Sequence, residues 1–271
     1  MERQKGYVAL LDVLGFTELV SGETHAEKLG QYVHSLEMVT NETDVEIVLF
    51  SDTIVMTSLG DTPESLLALL QPCSHAFGLL LSREIAVRGA ISYGSFIRYR
   101  NPKGVFLAGR AIIDAYRFQQ KQDWVGIMLA PSVLHMRPDL GKLCSMPEQT
   151  ASSEEKLREL STRLDWSLFI HDCEAIPFHT ADPFQPQTYK GFAVVPTDTL
   201  VKDPKEMVEN LHRARQYLDR LESLAPDPKS QKKYSEARMW LARVLGKWQG
   251  IEHSRSQLKV DPFSNSAAEK V

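Results

Sequence analysis

The sequence lacks the features of a disulfide-rich, membrane-spanning or nucleic-acid-binding protein. Its 271 residues include three cysteines, Cys73, Cys144 and Cys173, without a CxxC pair, which favours a reducing compartment. The first residues contain no long apolar segment before Asp12, and no run reaches the ~18 apolar residues of a membrane span. The net charge of -4 argues against a general binder of nucleic acid or anionic membranes. We therefore expect a cytoplasmic protein without either partner.

What is present is the composition of a globular protein. Hydrophobic residues make up 43% of the chain and charged residues 24%, and the length suffices for a sizeable core. We predict one large domain over residues 1–200, a C-terminal helical hairpin over 201–253 and a disordered tail over 254–271. The hairpin is predicted because apolar residues recur at helical spacing between 204 and 249, with a break at 225–228.

The apolar patterns predict an α+β fold. Over the first ~135 residues they indicate strand, helix, two strands, helix and strand, followed by a further helix and strand. The first six of these elements form the βαββαβ order of a ferredoxin-like domain, an antiparallel sheet with helices on one face. Further on, we expect a polar loop and an exposed helix over 148–163, strands over 164–170 and 189–195, and a loop over 177–186.

Two aspartates lie where a charge is costly. Asp12 interrupts a near-continuous apolar strand, and Asp52 lies at the tip of an apolar hairpin. In the predicted sheet these strands are neighbours, so the carboxylates meet at one end. Two such groups cannot both stay charged without a cation between them, and carboxylate pairs of this kind hold hard cations that act on phosphates. The alternative for Asp12 is a carboxylate that accepts hydrogen bonds from nearby backbone N–H groups.

Four segments, in order, resemble the motifs of class III nucleotide cyclases. Residues 10–17, Leu-Leu-Asp-Val-Leu-Gly-Phe-Thr, resemble the first metal motif. The hairpin with Asp52 resembles the second, except that Ser51 stands where the family usually has Gly. Residues 88–94, Arg-Gly-Ala-Ile-Ser-Tyr-Gly, are similar to the Arg-Val-Gly-Ile-His-x-Gly strand, and residues 109–117 to the Gly-Asn-x-Val-Asn-x-Ala-x-Arg helix start.

The resemblance, which spans about residues 7–135, implies a site and a reaction. Asp12 and Asp52 would hold two Mg²⁺ or Mn²⁺ ions. Arg117 would stabilise charge on the phosphate that is attacked, and it would come from the partner subunit of a homodimer with composite active sites. Arg88 is a lesser candidate to bind the triphosphate, and Lys190 a weak one because it precedes a glycine, as in the family. The implied reaction is attack of a ribose 3′-hydroxyl on the α-phosphate with loss of pyrophosphate.

The sequence departs from the purine cyclases at three positions. Val48 stands where they have Lys, Phe106 where they have a polar base reader, and Ile113 where they have the Asn that acts in the transition state. A site without polar readers discriminates poorly for the base that those readers recognise. The metal-binding half of the motif set is therefore kept, while the purine-reading half is missing.

This pattern is similar to that of the bacterial pyrimidine cyclases of Pycsar antiphage systems. It implies conversion of UTP to 3′,5′-cyclic UMP, a second messenger for a downstream effector. Phe50 is our candidate for packing on the base, with an ordinary core aromatic as the alternative. The alternative functions are a cytidylate cyclase making cyclic CMP, a purine cyclase with relocated base readers, and an inactive cyclase-fold regulator. A palm-type polymerase or diguanylate cyclase is disfavoured because the hairpin has no Gly-Gly-acidic turn.

Overall fold

One mixed β-sheet is the centre of the computed structural model, which describes residues 3–21, 25–41, 43, 45–144, 166–178, 187–199, 201 and 203–258. Its eight strands are β1 Arg3–Val13, β2 Glu46–Phe50, β3 Thr53–Thr57, β4 Val87–Asn101, β5 Gly104–Gly109, β6 Gly126–Leu129, β7 Ile170–Phe178 and β8 Gln187–Val194. The helices are α1 Phe16–Ser21, α2 His25–Asn41, α3 Pro63–Ser82, α4 Arg110–Lys121, α5 Pro131–Met136, α6 Leu140–Leu143, α7 Pro204–Leu224 and α8 Pro228–Leu258.

The strand order confirms the predicted ferredoxin-like α+β fold. The sheet runs β2-β3-β1-β4-β6-β8-β7, and β5 pairs with β4 outside this path. Strands β1 to β4 are antiparallel neighbours in the order 2-3-1-4, which is the order that a βαββαβ unit produces. Strand β6 pairs in parallel with β4. The helical segment predicted between the first two strands consists of two helices, α1 and α2.

Helix α3 is the main core helix beneath this sheet. Thr62 caps its N-terminus by accepting a hydrogen bond from the Ser65 backbone N–H (3.2 Å), and Pro63 occupies its first turn. A Thr-Pro pair of this kind is a local sequence signal for the start of a helix. Among the described residues, α3 is the one helix whose length and composition would allow it to cross a membrane. Most of it is buried inside the protein, which is the environment of a core helix.

The segment after residue 165 differs from its prediction. Residues 166–169 form a helical turn in which the Phe169 N–H donates to the Trp166 carbonyl (3.0 Å), whereas a strand was predicted over 164–170. Strand β7 begins only at Ile170 and continues into the predicted loop. The error has a physical origin, since a short apolar run has the same pattern in a buried strand and in a buried helical turn. The loop and helix predicted over 148–163 lie outside the described residues.

The C-terminal helices α7 and α8 form the predicted helical pair, and their apolar side chains belong to the main core. The ring of Trp240 meets that of Trp124 edge-on at 5.6 Å, and its Nε1–H donates to the Asp172 carbonyl (3.1 Å). The domain boundary predicted at residue 200 therefore separates segments that share one core. Helix α8 continues to Leu258, beyond the predicted end of the hairpin at 253 and into the stretch predicted as a disordered tail.

The segment after β8 is fastened directly to α3. The Ser74 hydroxyl donates to the Val195 carbonyl (2.5 Å), and the Thr197 N–H donates to the Ser74 carbonyl (3.1 Å). Gly78, one turn further along α3, permits this approach, because a Cβ there would lie 2.3 Å from the Thr197 carbonyl carbon. The nearest atoms belong to the backbone of Thr197 and Asp198, so no flexible side chain could move aside.

We expect Gly78→Ala to destabilise the protein by about 1–3 kcal/mol, because the added methyl group forces α3 and the Thr197 segment apart. Gly246→Ala in α8 is the matched control, since nothing lies within 4 Å of the added Cβ. The control should gain roughly 0.5–1 kcal/mol from helix propensity. Urea denaturation with unchanged m-values measures both, and equal shifts of the two variants would contradict the packing argument.

A buried histidine gives the stability a pH dependence. His171 in β7 is fully buried, and its Nε2 accepts a hydrogen bond from Trp248 Nε1 (3.0 Å). Burial, assisted by the nearby Lys247 charge, lowers the pKa of His171 to about 4. The unfolded chain, with its ordinary histidine pKa, therefore takes up a proton as the pH falls below about 6.5, whereas the folded protein does not.

This proton uptake predicts that the unfolding free energy of the wild type falls as the pH is lowered from about 6.5 towards 4. Between pH 7 and pH 5 the loss should exceed that of His171→Gln by about 2 kcal/mol. Glutamine keeps an acceptor for Trp248 but does not titrate. Denaturation curves at both pH values measure the difference, and parallel losses in the two proteins would show that His171 is not the titrating group.

Candidate active site

Sheet register brings three charged residues to one end of the central strands. Asp12, near the end of β1, is paired with Thr53 of β3 on one side and with Arg88 of β4 on the other. Asp52 immediately precedes Thr53, and its carbonyl accepts a hydrogen bond from the Val13 N–H (3.0 Å). The structure therefore places the two aspartates predicted as metal ligands beside each other, with Arg88 on the far side of Asp12.

The hairpin tip that carries Asp52 is shaped by a left-handed residue. Ser51 has a φ of 57°, a conformation that glycine adopts without strain. This is the position at which the resembled family usually has glycine. The Tyr32 hydroxyl donates to the Ser51 carbonyl (3.3 Å), which fixes the tip against α2. Burial and the nearby Asp52 charge raise the pKa of Tyr32 well above its ordinary value, so the phenol remains a donor.

Asp12 is held through one of its two oxygens. Its Oδ2 accepts hydrogen bonds from Arg88 Nη2 (3.2 Å) and from Gln119 Nε2 (3.1 Å). The Arg88 side chain is only 13% exposed, and its Nη1 donates to the Gln122 carbonyl (3.1 Å). Arg88, which the sequence offered as a triphosphate ligand, is thus placed as the ion partner of Asp12.

The electrostatics of Asp12 indicate a site short of positive charge. Burial raises the pKa of the Asp12 carboxyl, the Arg88 hydrogen bond and charge oppose this rise, and the neighbouring Asp52 charge adds to it. The balance leaves the pKa above its ordinary value. A divalent cation between the two carboxylates would remove their repulsion and favour the ionised form of both.

The two carboxylates fit a magnesium-like ion that takes some of its ligands from the protein and the rest from a substrate. Among the described residues, no group of three or more His, Cys, Asp or Glu side chains could hold a metal. Mg²⁺ commonly uses one or two carboxylates and completes its shell with water and substrate phosphates. Asp12 and Asp52 are suited to that arrangement, whereas a structural zinc site would need more protein ligands.

Arg117 lies away from this pair within one chain. Helix α4 turns Ala111, Ala115, Phe118 and Gln119 towards the protein interior, and Arg117 lies on its exposed face. No hydrogen bond or ion pair joins the Arg117 side chain to another described residue. Ile113, which occupies the position of the family's asparagine, is 50% exposed on the same helix. If Arg117 acts in catalysis, it must do so at a site formed with a second chain.

The candidate base-binding residues occupy different parts of the surface. Phe50 is 79% exposed at the end of β2, so the alternative of an ordinary core aromatic is wrong. Val48, also on β2, is half-buried opposite Val55. Phe106 on β5 is 54% exposed and contacts the ring of Tyr99 at 5.9 Å. Lys190 lies on β8, and the structure does not bring it beside Asp12, because β4 and β6 stand between β8 and β1.

Sequence reasoning missed Gln119, which touches Asp12 directly. The signal was present in the helix pattern. Positions 111, 115 and 119 recur every four residues and share one face of α4, so a glutamine at the third position puts a polar group on a buried face. Such a group requires a partner, and the strand that α4 covers carries Asp12.

Comparisons with known proteins return cyclases at low similarity. No family model and no curated protein matches the sequence. Among solved structures, the guanylyl cyclase domain of a fusion protein from the aquatic fungus Blastocladiella emersonii has 14% identity and a TM-score of 0.45, covering 51% of this chain and 86% of that one. An adenylate cyclase from Trypanosoma brucei has 11% identity and a TM-score of 0.45, covering 70% and 89%. The adenylyl cyclase CyaB from P. aeruginosa has 12% identity and a TM-score of 0.41, covering 73% and 97%.

The left-handed conformation of Ser51 should lower the stability of the protein. We expect Ser51→Gly to stabilise the protein by ~0.5–1 kcal/mol, because relief of the left-handed strain exceeds the extra entropy of glycine in the unfolded chain. Ser82→Gly is the control, since Ser82 ends α3 in a helical conformation, where glycine costs stability. Thermal unfolding measures both variants. A lower melting temperature for Ser51→Gly would contradict the strain argument.

Proposed function

We propose that this protein is a class III nucleotide cyclase that converts UTP to 3′,5′-cyclic UMP and pyrophosphate. The observation that carries the proposal is the juxtaposition of Asp12 and Asp52 at the ends of neighbouring strands. Each belongs to a segment that resembles a metal motif of that family. The ferredoxin-like strand order supports the proposal, because β1 and β3 are neighbours and phosphate chemistry with two carboxylates needs both side chains at the same end of the sheet.

In the proposed reaction, Asp12 and Asp52 would hold two Mg²⁺ or Mn²⁺ ions, which would also bind the triphosphate. When bound, such ions would neutralise phosphate charge and favour transfer of the 3′-hydroxyl proton to solvent water. The 3′-oxygen forms a bond to the α-phosphorus as the bond from that phosphorus to the bridging oxygen breaks, and pyrophosphate leaves. Arg117 of a second chain places a positive charge at the α-phosphate, where negative charge develops.

The choice of a pyrimidine rests on the residues around the base. Val48 and Phe106 offer no hydrogen bonds to a purine edge, and Phe50 presents an exposed ring on which a base can stack. UTP is our first choice and CTP the second, followed by a purine substrate and by an inactive regulator. We further propose that the product is a cytoplasmic signal for an effector in antiphage defence, which follows from the resemblance to the Pycsar cyclases. The three cysteines are free and buried, in keeping with a reducing compartment.

A homodimer is part of the proposal because one chain leaves Arg117 apart from the aspartates. The hairpin tip, the β4–β5 arm and helix α4 also expose large apolar side chains that a second copy could cover. These are Leu49, Phe50, Tyr99, Val105, Phe106, Ile113 and Tyr116. Exposed aromatic residues of this kind are enriched at the centres of protein interfaces.

The substrate is tested by offering purified protein each of the four ribonucleoside triphosphates with Mn²⁺ and resolving the products. We expect cyclic UMP as the main product. Asp12→Ala and Asp52→Ala should abolish pyrophosphate release, since each removes a metal carboxylate. Glu37→Ala on the exposed face of α2 is the control and should retain wild-type activity.

Two other outcomes of that assay would change the proposed function. Cyclic AMP as the main product would overturn the pyrimidine assignment. The absence of product from any nucleotide, under conditions in which a known cyclase is active, would favour the regulator.

A composite site predicts complementation between two inactive variants. Asp12→Ala and Arg117→Ala should each be inactive alone. After mixing in equal amounts, half of the dimers contain one chain of each kind, and each of these has one intact site out of two. We expect about a quarter of the wild-type rate. Asp12→Ala mixed with Asp52→Ala is the control and should stay inactive, because both variants damage the same half of the site; restored activity there would contradict this arrangement.

A further inference from the structure

We infer that Gln119 is a positioning residue for Asp12, holding one carboxylate oxygen so that the other can bind a divalent cation. The inference rests on the proposed function, because it assumes that Asp12 is a metal ligand. Gln119 Nε2 and Arg88 Nη2 both donate to Oδ2 of Asp12, at 3.1 and 3.2 Å. Among the described residues, no side chain donates a hydrogen bond to Oδ1, so that oxygen is the one available to an ion.

The burial of Gln119 shows that its position has a cost. Its side chain has 0% exposure, although an amide transferred from water to the protein interior loses free energy unless it is hydrogen-bonded. Here both ends of the amide have partners. The NH₂ group donates to Asp12, and Oε1 accepts from Gln120 Nε2 (3.2 Å). The orientation of the amide follows from chemistry, since a carboxylate can accept hydrogen bonds but cannot donate them.

A neutral donor suits this position better than a charged one. A second cation beside Arg88 would compensate Asp12 and Asp52 fully and weaken their attraction for a metal ion. A carboxylate at 119 would instead repel Asp12, whose pKa is already raised. Glutamine restrains the Asp12 side chain and leaves its charge intact. Hydrogen bonds from outer residues to metal ligands have this orienting role in other metal sites, where their loss weakens binding about 10- to 100-fold.

The same contact links two functions of helix α4. Gln119 lies two positions after Arg117, and α4 packs on both β1 and β4. The helix that presents Arg117 on its exposed face therefore also holds the metal carboxylate with its buried face. A shift of α4 along the sheet would change the direction of Arg117 and release Oδ2 of Asp12 together.

The test is Mn²⁺ binding to the full chain, measured from the paramagnetic resonance signal of free Mn²⁺ without any turnover. Gln119→Met keeps the side-chain length and removes the donor. We expect its Kd for Mn²⁺ to rise about 10- to 100-fold. Asn210→Leu is the matched control, because Asn210 is also a buried amide (2% exposed) but bonds to Asp198 and Thr199 of the C-terminal region. It should lower the melting temperature while leaving Mn²⁺ affinity unchanged.

Kinetics provide a second measurement. The positioning role predicts that Gln119→Met has a low rate at limiting Mn²⁺ and recovers most of its kcat when Mn²⁺ is saturating, with little change in nucleotide KM. A purely structural defect would lower activity at every Mn²⁺ concentration. Should Gln119→Met fail to fold, Gln119→Asn replaces it; this variant keeps a polar amide but shortens its reach by one methylene, and it should show the same loss of affinity.

The outcomes separate this inference from the proposed function. If the wild type binds Mn²⁺, Asp12→Ala abolishes binding and a folded Gln119 variant binds within twofold of the wild type, Gln119 does not position Asp12 while the metal site stands. If the wild type does not bind Mn²⁺, or Asp12→Ala binds as well as the wild type, both the metal site and the inference are overturned.

Discussion

The repulsion between two carboxylates is the constraint on which the proposed site depends. Asp12 is half-buried beside Asp52, and burial and the second charge both raise its pKa. The pairing of the surrounding strands fixes where the backbones of the two residues lie. Here β1 lies between β3 and β4, so Asp12 is fixed on both sides by backbone pairing. The repulsion between the two carboxylates is consistent with a binding site, because a cation that binds between them would remove it.

The immediate surroundings offset this cost only in part. Arg88 and Gln119 both donate to the same oxygen of Asp12, whereas no cation among the described residues pairs with Asp52. The Thr53 hydroxyl donates to Oδ1 of Asp52 at the long distance of 3.5 Å. The hairpin tip adds a left-handed serine, held through its carbonyl by Tyr32. The site therefore combines incomplete charge compensation with a tightly specified backbone, which are the conditions for binding a hard cation with its phosphates.

The C-terminal part of the chain extends the sheet and packs against it away from the candidate site. Strands β7 and β8 extend it beyond β6, and helix α8 buries Trp240 and Trp248 beside β7. Ser74 and Gly78 join α3 to the segment that leads into α7. These contacts make the C-terminal helices part of the main core. They also leave the hairpin tip, the β4–β5 arm and α4 exposed, and these are the surfaces that a composite site would use.

The sequence by itself determined the order of strands and helices, the ferredoxin-like layout, the cap of α3 and the two aspartates, because periodicity, capping residues and charges in apolar runs are local signals. Tertiary structure alone decided that Arg88 pairs with Asp12, that Gln119 holds the same oxygen, that Phe50 is exposed and that Lys190 lies far along the sheet. It also decided that residues 166–169 form a turn. Partners, exposure and strand neighbours depend on segments distant in the chain, and local patterns carry no information about which of those segments meet.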